Sequence, residues 1–496
     1  MQYRSTRGNI KNTLNSAQAI IQGLAPDGGL LVPVTFPQAK VPLDKLPQMT
    51  YQEMAQMVLQ WFFDDFSDEQ LQTVVNNAYG QQWDASTIAP LSAAHDGNYY
   101  LELFHGPTLA FKDIALQVLP QLMTQAIKNE HIHQQIVILT ATSGDTGTAS
   151  MRGFSDQPNT QVIVFYPHGG VSHVQLKQML GQHGQNLTVL AIEGNFDDAQ
   201  TAVKHIFNDQ SFNQRLLDHH YQFSSANSMN IGRLIPQIVY YLGAYAQLVN
   251  RQVIKNGESV NFTVPTGNFG DILAGYYAKK LGLPIHKLIC ASNENNVLTD
   301  FFTSGEYNRQ RSFFLTNAPA MDILVSSNLE RLLFDVYGED ETMISSLMKQ
   351  LNADGHYTIS AAAEKQLHQT FAAGFANQKQ VLAEIHHVYD RDGYLIDPHT
   401  AVASYVAKQY QNQQNDATPN VIVSTASPYK FPETVLQAIT NHQSSTTGLP
   451  AIKELQTLLG KPLSSNVQSL FNITPRSEHV IVPTDMEHSI AEILKL

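Results

Sequence analysis

From about residue 96 the chain alternates short apolar runs rich in Val and Ile with helical patterns, and this alternation restricts it to an α/β architecture. The runs are Ile136–Thr140, Val162–Tyr166, Leu187–Ile192, Val260–Val264, Leu288–Ser292 and Val421–Thr425, with helical segments such as Ala199–Phe207 and Ile272–Leu281 between several of them. Strands so continuously apolar are buried on both faces, as in a parallel sheet covered by its crossover helices. Several runs end in loops of small residues that open onto a helix, the place where α/β sheets hold ligands. At 496 residues the chain exceeds what one compact core accommodates.

The flanks read differently. Residues 1–95 are expected to form a helical N-terminal domain after an irregular start. Thr50-x-x-Glu53 and Ser67-x-x-Gln70 are capping boxes, each ahead of an apolar-periodic stretch. Residues 96–440 form the α/β region, helix-rich over 326–386 and with an exposed loop at 412–419. Residues 441–496 are expected to be a separate C-terminal segment with a helix near Ala451–Leu459.

Charge and composition narrow the function. The formal charge is −13, with 30 basic against 43 acidic residues, which argues against a nucleic-acid or anionic-membrane partner. An anionic substrate must then be caught by a local site. The one cysteine, Cys290, lies in an apolar run where a free thiol is usually an inert small hydrophobe. No stretch of eighteen apolar residues occurs, and no apolar run with a cleavage site follows Met1, so a cytoplasmic protein is expected. No metal is expected. His219-His220 and His386-His387 are adjacent and do not share a helix face, and no His-Glu-x-x-His or Cys-x-x-Cys occurs. A Walker A loop is missing, since Gly460-Lys461 is followed by Pro462, and so is a Gly-x-Gly-x-x-Gly fingerprint.

Five segments can carry chemistry. Lys112, in Phe104-His-Gly-Pro-Thr-Leu-Ala-Phe-Lys-Asp113, stands in apolar surroundings that favour an unprotonated, nucleophilic amine. The same decapeptide also fits a lysine snorkelling at a helix start beside Asp113. Pro265-Thr-Gly-Asn-Phe-Gly-Asp271 follows a strand and precedes a helix, so its glycines and the helix N-terminus make a phosphate cradle; a purely structural turn would look alike. Thr140-Ala-Thr-Ser-Gly-Asp-Thr-Gly147 repeats that layout, and two such loops suggest two anionic groups, one from a cofactor and one from a substrate. Asp145 would repel an anion it faced and fits a helix cap equally well. In Ser224-Ser-Ala-Asn-Ser-Met-Asn-Ile-Gly-Arg233, Arg233 can clamp a phosphate or simply close a helix at the surface. Ser424-Thr-Ala-Ser-Pro-Tyr-Lys430 sets a hydroxyl at a strand end, where it can face a pocket or simply cap.

Together these segments resemble threonine synthase, a family of pyridoxal-phosphate-dependent enzymes with the tryptophan-synthase-β-like fold. The resemblance also takes in Pro26-Asp-Gly-Gly-Leu30 and Met321-Asp-Ile-Leu-Val-Ser-Ser-Asn-Leu-Glu-Arg331, and the motifs run in the family's order over roughly residues 23 to 435. It implies a two-lobed α/β fold with parallel sheets and a helical N-terminal domain. It implies pyridoxal 5'-phosphate held by Lys112 as a Schiff base, its phosphate lined by Gly267, Asn268, Phe269, Gly270 and Asp271, and its ring nitrogen bonded by Thr425. Ser143, Gly144, Asp145, Thr146, Asn227, Ser228 and Arg233 would face the carboxylate and phosphate of O-phosphohomoserine. One departure shows: similar enzymes usually have a basic residue where this chain has Gly170, and His168 or Lys177 would have to replace it.

The implied reaction gives threonine and phosphate from O-phosphohomoserine and water. A rival on the same fold releases 2-oxobutanoate and ammonia, and a rival of another class is a degenerate, non-catalytic binder of the cofactor or an amino acid. The intact Lys112 and the intact 267–271 loop speak against the latter. The sequence assigns no oligomeric state.

Overall fold

In the computed structural model, which describes residues 1–8, 12–93 and 97–496, the apolar runs are strands buried in two parallel sheets. The chain opens on β1 (Gln2–Ser5), β2 (Leu14–Asn15) and β3 (Leu31–Pro33), an antiparallel sheet in the order β2-β1-β3. The start expected to be irregular is therefore a small sheet. Its strands are too short to carry a period-2 signal. The helices Tyr51–Phe62 and Asp68–Ala78 follow, each closed by the capping box read from Thr50/Glu53 and Ser67/Gln70. The division expected between residues 95 and 96 lies outside the described residues.

On either side of it, β4 (Leu91–Ala93) and β5 (Asn98–Glu102) begin the larger sheet. Next come β6 (Gln135–Ala141), β7 (Thr160–Pro167), β8 (Leu187–Ile192) and β9 (Tyr221–Ser224), which build the smaller sheet. The chain then returns to the larger sheet with β10 (Val260–Pro265) and β11 (Ile285–Ser292). A two-stranded excursion, β12 (Glu306–Asn308) with β13 (His356–Thr358), precedes β14 (Phe371–Phe375) and β15 (Asn420–Ser424). Finally β16 (Val480–Ile481) joins the smaller sheet. The larger sheet runs β14-β11-β10-β15-β5-β4, parallel except that β4 is antiparallel to β5, and the smaller runs β16-β8-β7-β6-β9, all parallel.

The main core is continuous from Tyr3 through the N-terminal helices (Val58, Phe62, Val74) to the inner faces of both sheets (Ile136, Val164, Phe262, Val421). The outer face of the larger sheet is covered by the helices Pro398–Gln414 and Gln378–Asp392 through Val402, Val406, Ile385 and Val388. The C-terminal segment is not self-contained. Its last helix, Met486–Leu494, covers the outer face of the smaller sheet with Met486, Ile490 and Leu494 against Val137, Leu139 and Ile163. Over 326–386 the expected helices are interrupted by β13 and β14. The helix Pro398–Gln414 runs into the expected 412–419 loop and ends at Asn415, whose φ of 51° is left-handed. Among the described residues no helix is long and apolar enough to cross a membrane.

One close approach ties the fold to the lysine motif. The helix Asp145–Phe154 lies so near the helix Lys112–Leu116 that a Cβ on Gly153 would stand 1.9 Å from the Leu116 carbonyl oxygen. Only a glycine permits that packing.

Candidate active site

The carboxyl ends of β6, β10 and β15 converge on one cleft between the lobes, as open α/β sheets prescribe. The segment before Lys112 is laced to the one after β15: Phe111 N donates to Thr425 O at 2.8 Å and Ser427 N to Leu109 O at 3.0 Å. This lacing brings Lys112 and Thr425, distant in sequence, onto the same wall. Lys112 is largely sheltered, with 11% of its side chain exposed, and its amine is lowered to about 8 first by burial, then by the positive charges of Arg233 and Lys430, against the opposing pull of Asp145. The snorkelling alternative does not hold, because the amine points inward.

Thr266–Asp271 turns directly from β10 into the helix Gly270–Lys280. Phe269 takes a left-handed φ of 63°, and no side chain caps the helix. A neighbouring segment fixes the turn from behind: Ser326 Oγ donates to Gly267 O at 2.7 Å, and a Cβ on Gly267 would meet Ala320 O at 2.9 Å. Gly267, Asn268, Phe269, Gly270 and Asp271 all line the cleft. The Asp271 carboxylate accepts from Tyr240 OH (2.5 Å) and Tyr241 OH (2.8 Å) through Oδ1, while Oδ2 is buried without a partner. Burial raises its carboxyl to about 6 against the lowering effect of the two tyrosines.

The loop after β6 is wound around Thr142, whose Oγ1 accepts from Gly144 N (3.0 Å) and Gly147 N (2.9 Å). Ser143 and Thr146 line the cleft; Gly144 and Asp145 do not. Gly144, at φ 130°, leaves no room for a side chain against Gln175. The Asp145 carboxylate caps nothing. It lies in an ion pair with Lys430 (2.9 Å), accepts from Gln175 Nε2 (2.7 Å) and faces Lys112 at 3.7 Å. Burial would raise this carboxyl, yet Lys430 and Lys112 hold it well below the usual carboxylate range.

Asn227, Ser228 and Arg233 also reach the cleft. Arg233 does not close a helix at the surface: it is 2% exposed and donates through Nη1 to Ala226 O at 2.8 Å, with Nε buried and unpartnered. Burial lowers its guanidinium to about 10. Asn227 Oδ1 is buried without a partner as well.

The substitutes expected for the missing base at Gly170 point elsewhere. His168 pairs with Glu478 at 2.8 Å, and Lys177 donates to Ile473 O at 2.8 Å. The cleft instead holds Gln200 and Lys204, one turn apart on the helix Phe196–Asn208, and His399, whose Nδ1 meets Asp397 at 2.6 Å while Ala320 N donates to its Nε2 at 3.2 Å. Their four-residue spacing was a readable signal for Gln200 and Lys204. Burial pushes the Cys290 thiol up to about 12, far from a reactive thiolate. Among the described residues no cluster of three or more His, Cys, Asp or Glu side chains is placed to hold a metal.

Comparison with known proteins agrees with this layout. Residues 2–79 match the model for the threonine synthase N terminus, 87–426 that for pyridoxal-phosphate-dependent enzymes, and 400–474 that for the threonine synthase C-terminal region. Human threonine synthase-like 1 is 42% identical over 85% of this chain, which spans only 58% of that relative's length. Threonine synthase of Pseudomonas aeruginosa is 38% identical over 88% of this chain and 90% of its own. The crystal structure of pyridoxal-phosphate-bound threonine synthase from Brucella melitensis superposes with a TM-score of 0.86 at 36% identity, covering 100% of this chain and 99% of that one. An anionic cofactor suits a cleft that offers Arg233 Nε, a buried donor without a partner, and the N-terminus of the helix Gly270–Lys280, which no side chain caps. The chain belongs to the threonine synthase family of pyridoxal-phosphate-dependent enzymes.

Proposed function

We propose that this chain converts O-phospho-L-homoserine and water to L-threonine and phosphate, with residues 96–440 carrying the reaction and 1–95 and 441–496 flanking it. The observation that carries the reading is one largely sheltered lysine, Lys112, on the wall of a cleft whose other walls are two glycine-bearing loops at helix N-termini. Gly267–Asp271 would hold the cofactor's phosphate, Lys112 its aldehyde and Thr425 its ring nitrogen. Bound pyridoxal phosphate supplies an electron sink that acidifies protons on the substrate carbons near its amine.

The protein's own residues do the rest. Lys112 takes the proton from Cα and then one from Cβ, the task of a base whose amine gives up its own proton more readily than an ordinary lysine's. Ser143, Thr146, Asn227 and Ser228 offer donors to the substrate carboxylate. Lys204, Gln200 and Arg233 offer charge and hydrogen bonds to its phosphate. The Cγ–O bond to phosphate breaks, the oxygen of water joins Cβ, and Cγ gains a proton. Closure of one lobe on the other would keep stray water from diverting the reaction to a keto acid. A cytoplasmic site of action is part of the proposal and accords with a lone, buried thiol.

The test is incubation of the purified, cofactor-loaded protein with O-phosphohomoserine, scoring phosphate, threonine and 2-oxobutanoate together. Equal phosphate and threonine are expected. Phosphate with 2-oxobutanoate would identify a phospho-lyase, and cofactor binding without turnover a non-catalytic binder. Lys112→Ala should abolish both products while the fold survives.

A further inference from the structure

A second lysine stands behind Lys112, in the turn that follows β15. Lys430 is 0% exposed, and its amine donates to the Thr108 carbonyl at 2.7 Å and to Asp145 Oδ1 at 2.9 Å. The other Asp145 oxygen, Oδ2, faces the Lys112 amine at 3.7 Å. One buried carboxylate thus lies between two lysines, the buried Lys430 and the cleft-lining Lys112, and the nearer of them is not the one assigned to chemistry. Because Thr108 lies four residues before Lys112, the same Lys430 amine also fastens the loop that presents Lys112.

A carboxylate beside a lysine ordinarily keeps it charged, and a charged lysine has no lone pair with which to take a proton. On the reading of Lys112 as the working amine, an Asp145 committed to Lys112 alone would disable it. We propose that Lys430 is a positioning residue that holds the Asp145 carboxylate, leaving the Lys112 amine oriented by Asp145 yet not locked by it into a permanent ion pair. Every charged neighbour fits this division. Lys430 and Gln175 hold Asp145 Oδ1; Arg233 adds a second positive charge near Lys112; Asp113 is turned away, its carboxylate accepting from Thr108 N and Oγ1, each at 2.7 Å. Lys204, Asp271, Asp322 and His399 complete the charged or titratable wall of the cleft. The low proton affinity of the Lys112 amine agrees with the arrangement, since burial and the two cations outweigh Asp145.

The test uses the full-length protein stripped of cofactor. Trace acetylation with acetic anhydride across a pH series, read at Lys112 by peptide mass spectrometry, gives the midpoint at which its amine becomes reactive. Lys430→Met should raise that midpoint by about one pH unit or more, equivalent to about tenfold fewer reactive amines at neutral pH. Asp145→Asn alone should lower it below the parent's, and the double variant Lys430→Met/Asp145→Asn should match Asp145→Asn, because Lys430 acts through that carboxylate, an outcome that an independent charge effect of Lys430 on Lys112 would not produce. In the loaded protein the pH midpoint of the visible absorbance should move in the same direction as the labelling midpoint for each variant. An unmoved midpoint in folded Lys430→Met, or a double variant whose midpoint lies above that of Asp145→Asn by as much as Lys430→Met lies above the parent, overturns the proposal. If Lys430→Met does not fold, Asp145→Asn decides, and a midpoint not below the parent's overturns it. Labelling requires no substrate turnover, so failure here is distinct from failure to form threonine.

Discussion

Asn328 donates twice to the carbonyl oxygen of Asn268, from its backbone N at 3.0 Å and from its side-chain Nδ2 at 2.9 Å. The cradle at the end of β10 is thereby shaped by a residue outside the cleft wall. Asn328→Ala removes one of the two bonds and the support it gives to Gly267 and Asn268. Cofactor affinity should fall about tenfold, corresponding to about 1.4 kcal/mol for one buried hydrogen bond. Fluorescence titration of stripped protein with pyridoxal phosphate measures this, and an unchanged dissociation constant would mean that the cradle keeps its shape unaided.

Asp271 gives a prediction in pH. Its folded carboxyl titrates at about 6 against an ordinary value of 3.8, so the folded state binds more protons over that interval. By linkage the parent loses stability as pH rises from 4 through 6, and the loss is complete above 6. Asp271→Asn keeps an oxygen for Tyr240 and Tyr241 and removes the buried charge. The variant without cofactor should therefore gain on the parent across that window and hold a lead of up to about 3 kcal/mol at pH 7. Denaturant melts at pH 4, 5, 6 and 7 test the sign.

Lys204→Met should raise KM for O-phosphohomoserine by about tenfold or more, the range for losing a charge-assisted hydrogen bond. Cofactor affinity and melting temperature should stay at parental values, because the side chain is exposed at the cleft mouth. A loss of cofactor instead would move Lys204 from the substrate's side of the cleft to the cofactor's.

Gly153→Ala adds one methyl group where the Leu116 carbonyl leaves none room, and backbone rather than a yielding side chain must shift. A destabilisation of about 2–3 kcal/mol is expected, measured by urea unfolding. Because the displaced helix begins at Lys112, the labelling profile of that lysine should change as well.

The sequence told most where physics is local. The six Val- and Ile-rich runs are strands because their burial on two faces leaves the pattern in one stretch of chain. β14 escaped notice because Phe371-Ala-Ala-Gly-Phe375 contains no β-branched residue and follows directly on a helix; it is a strand only through its pairing with β11. β5, Asn-Tyr-Tyr-Leu-Glu, is likewise made by its neighbour β15. The cleft was legible as loops, since small residues between strand and helix announce an anion site. The partner of Asp145 was not, because Lys430 reaches it only once both lobes are built, and nothing near either residue encodes the pairing. His399 was missed for a similar reason: its role depends on Ala320 arriving from another loop.

The placement of β15 has a consequence for how the protein is made. β15 lies between β10 and β5, so the two halves of the larger sheet are joined only by a strand that begins at residue 420. A nascent chain that has not yet exposed this strand beyond the ribosome carries two open strand edges on an otherwise apolar sheet, the condition that invites pairing with other molecules. Synthesis must therefore pass residue 420 before the larger sheet can close, and slowing translation just ahead of that strand should increase the demand for chaperones more than slowing it ahead of β5.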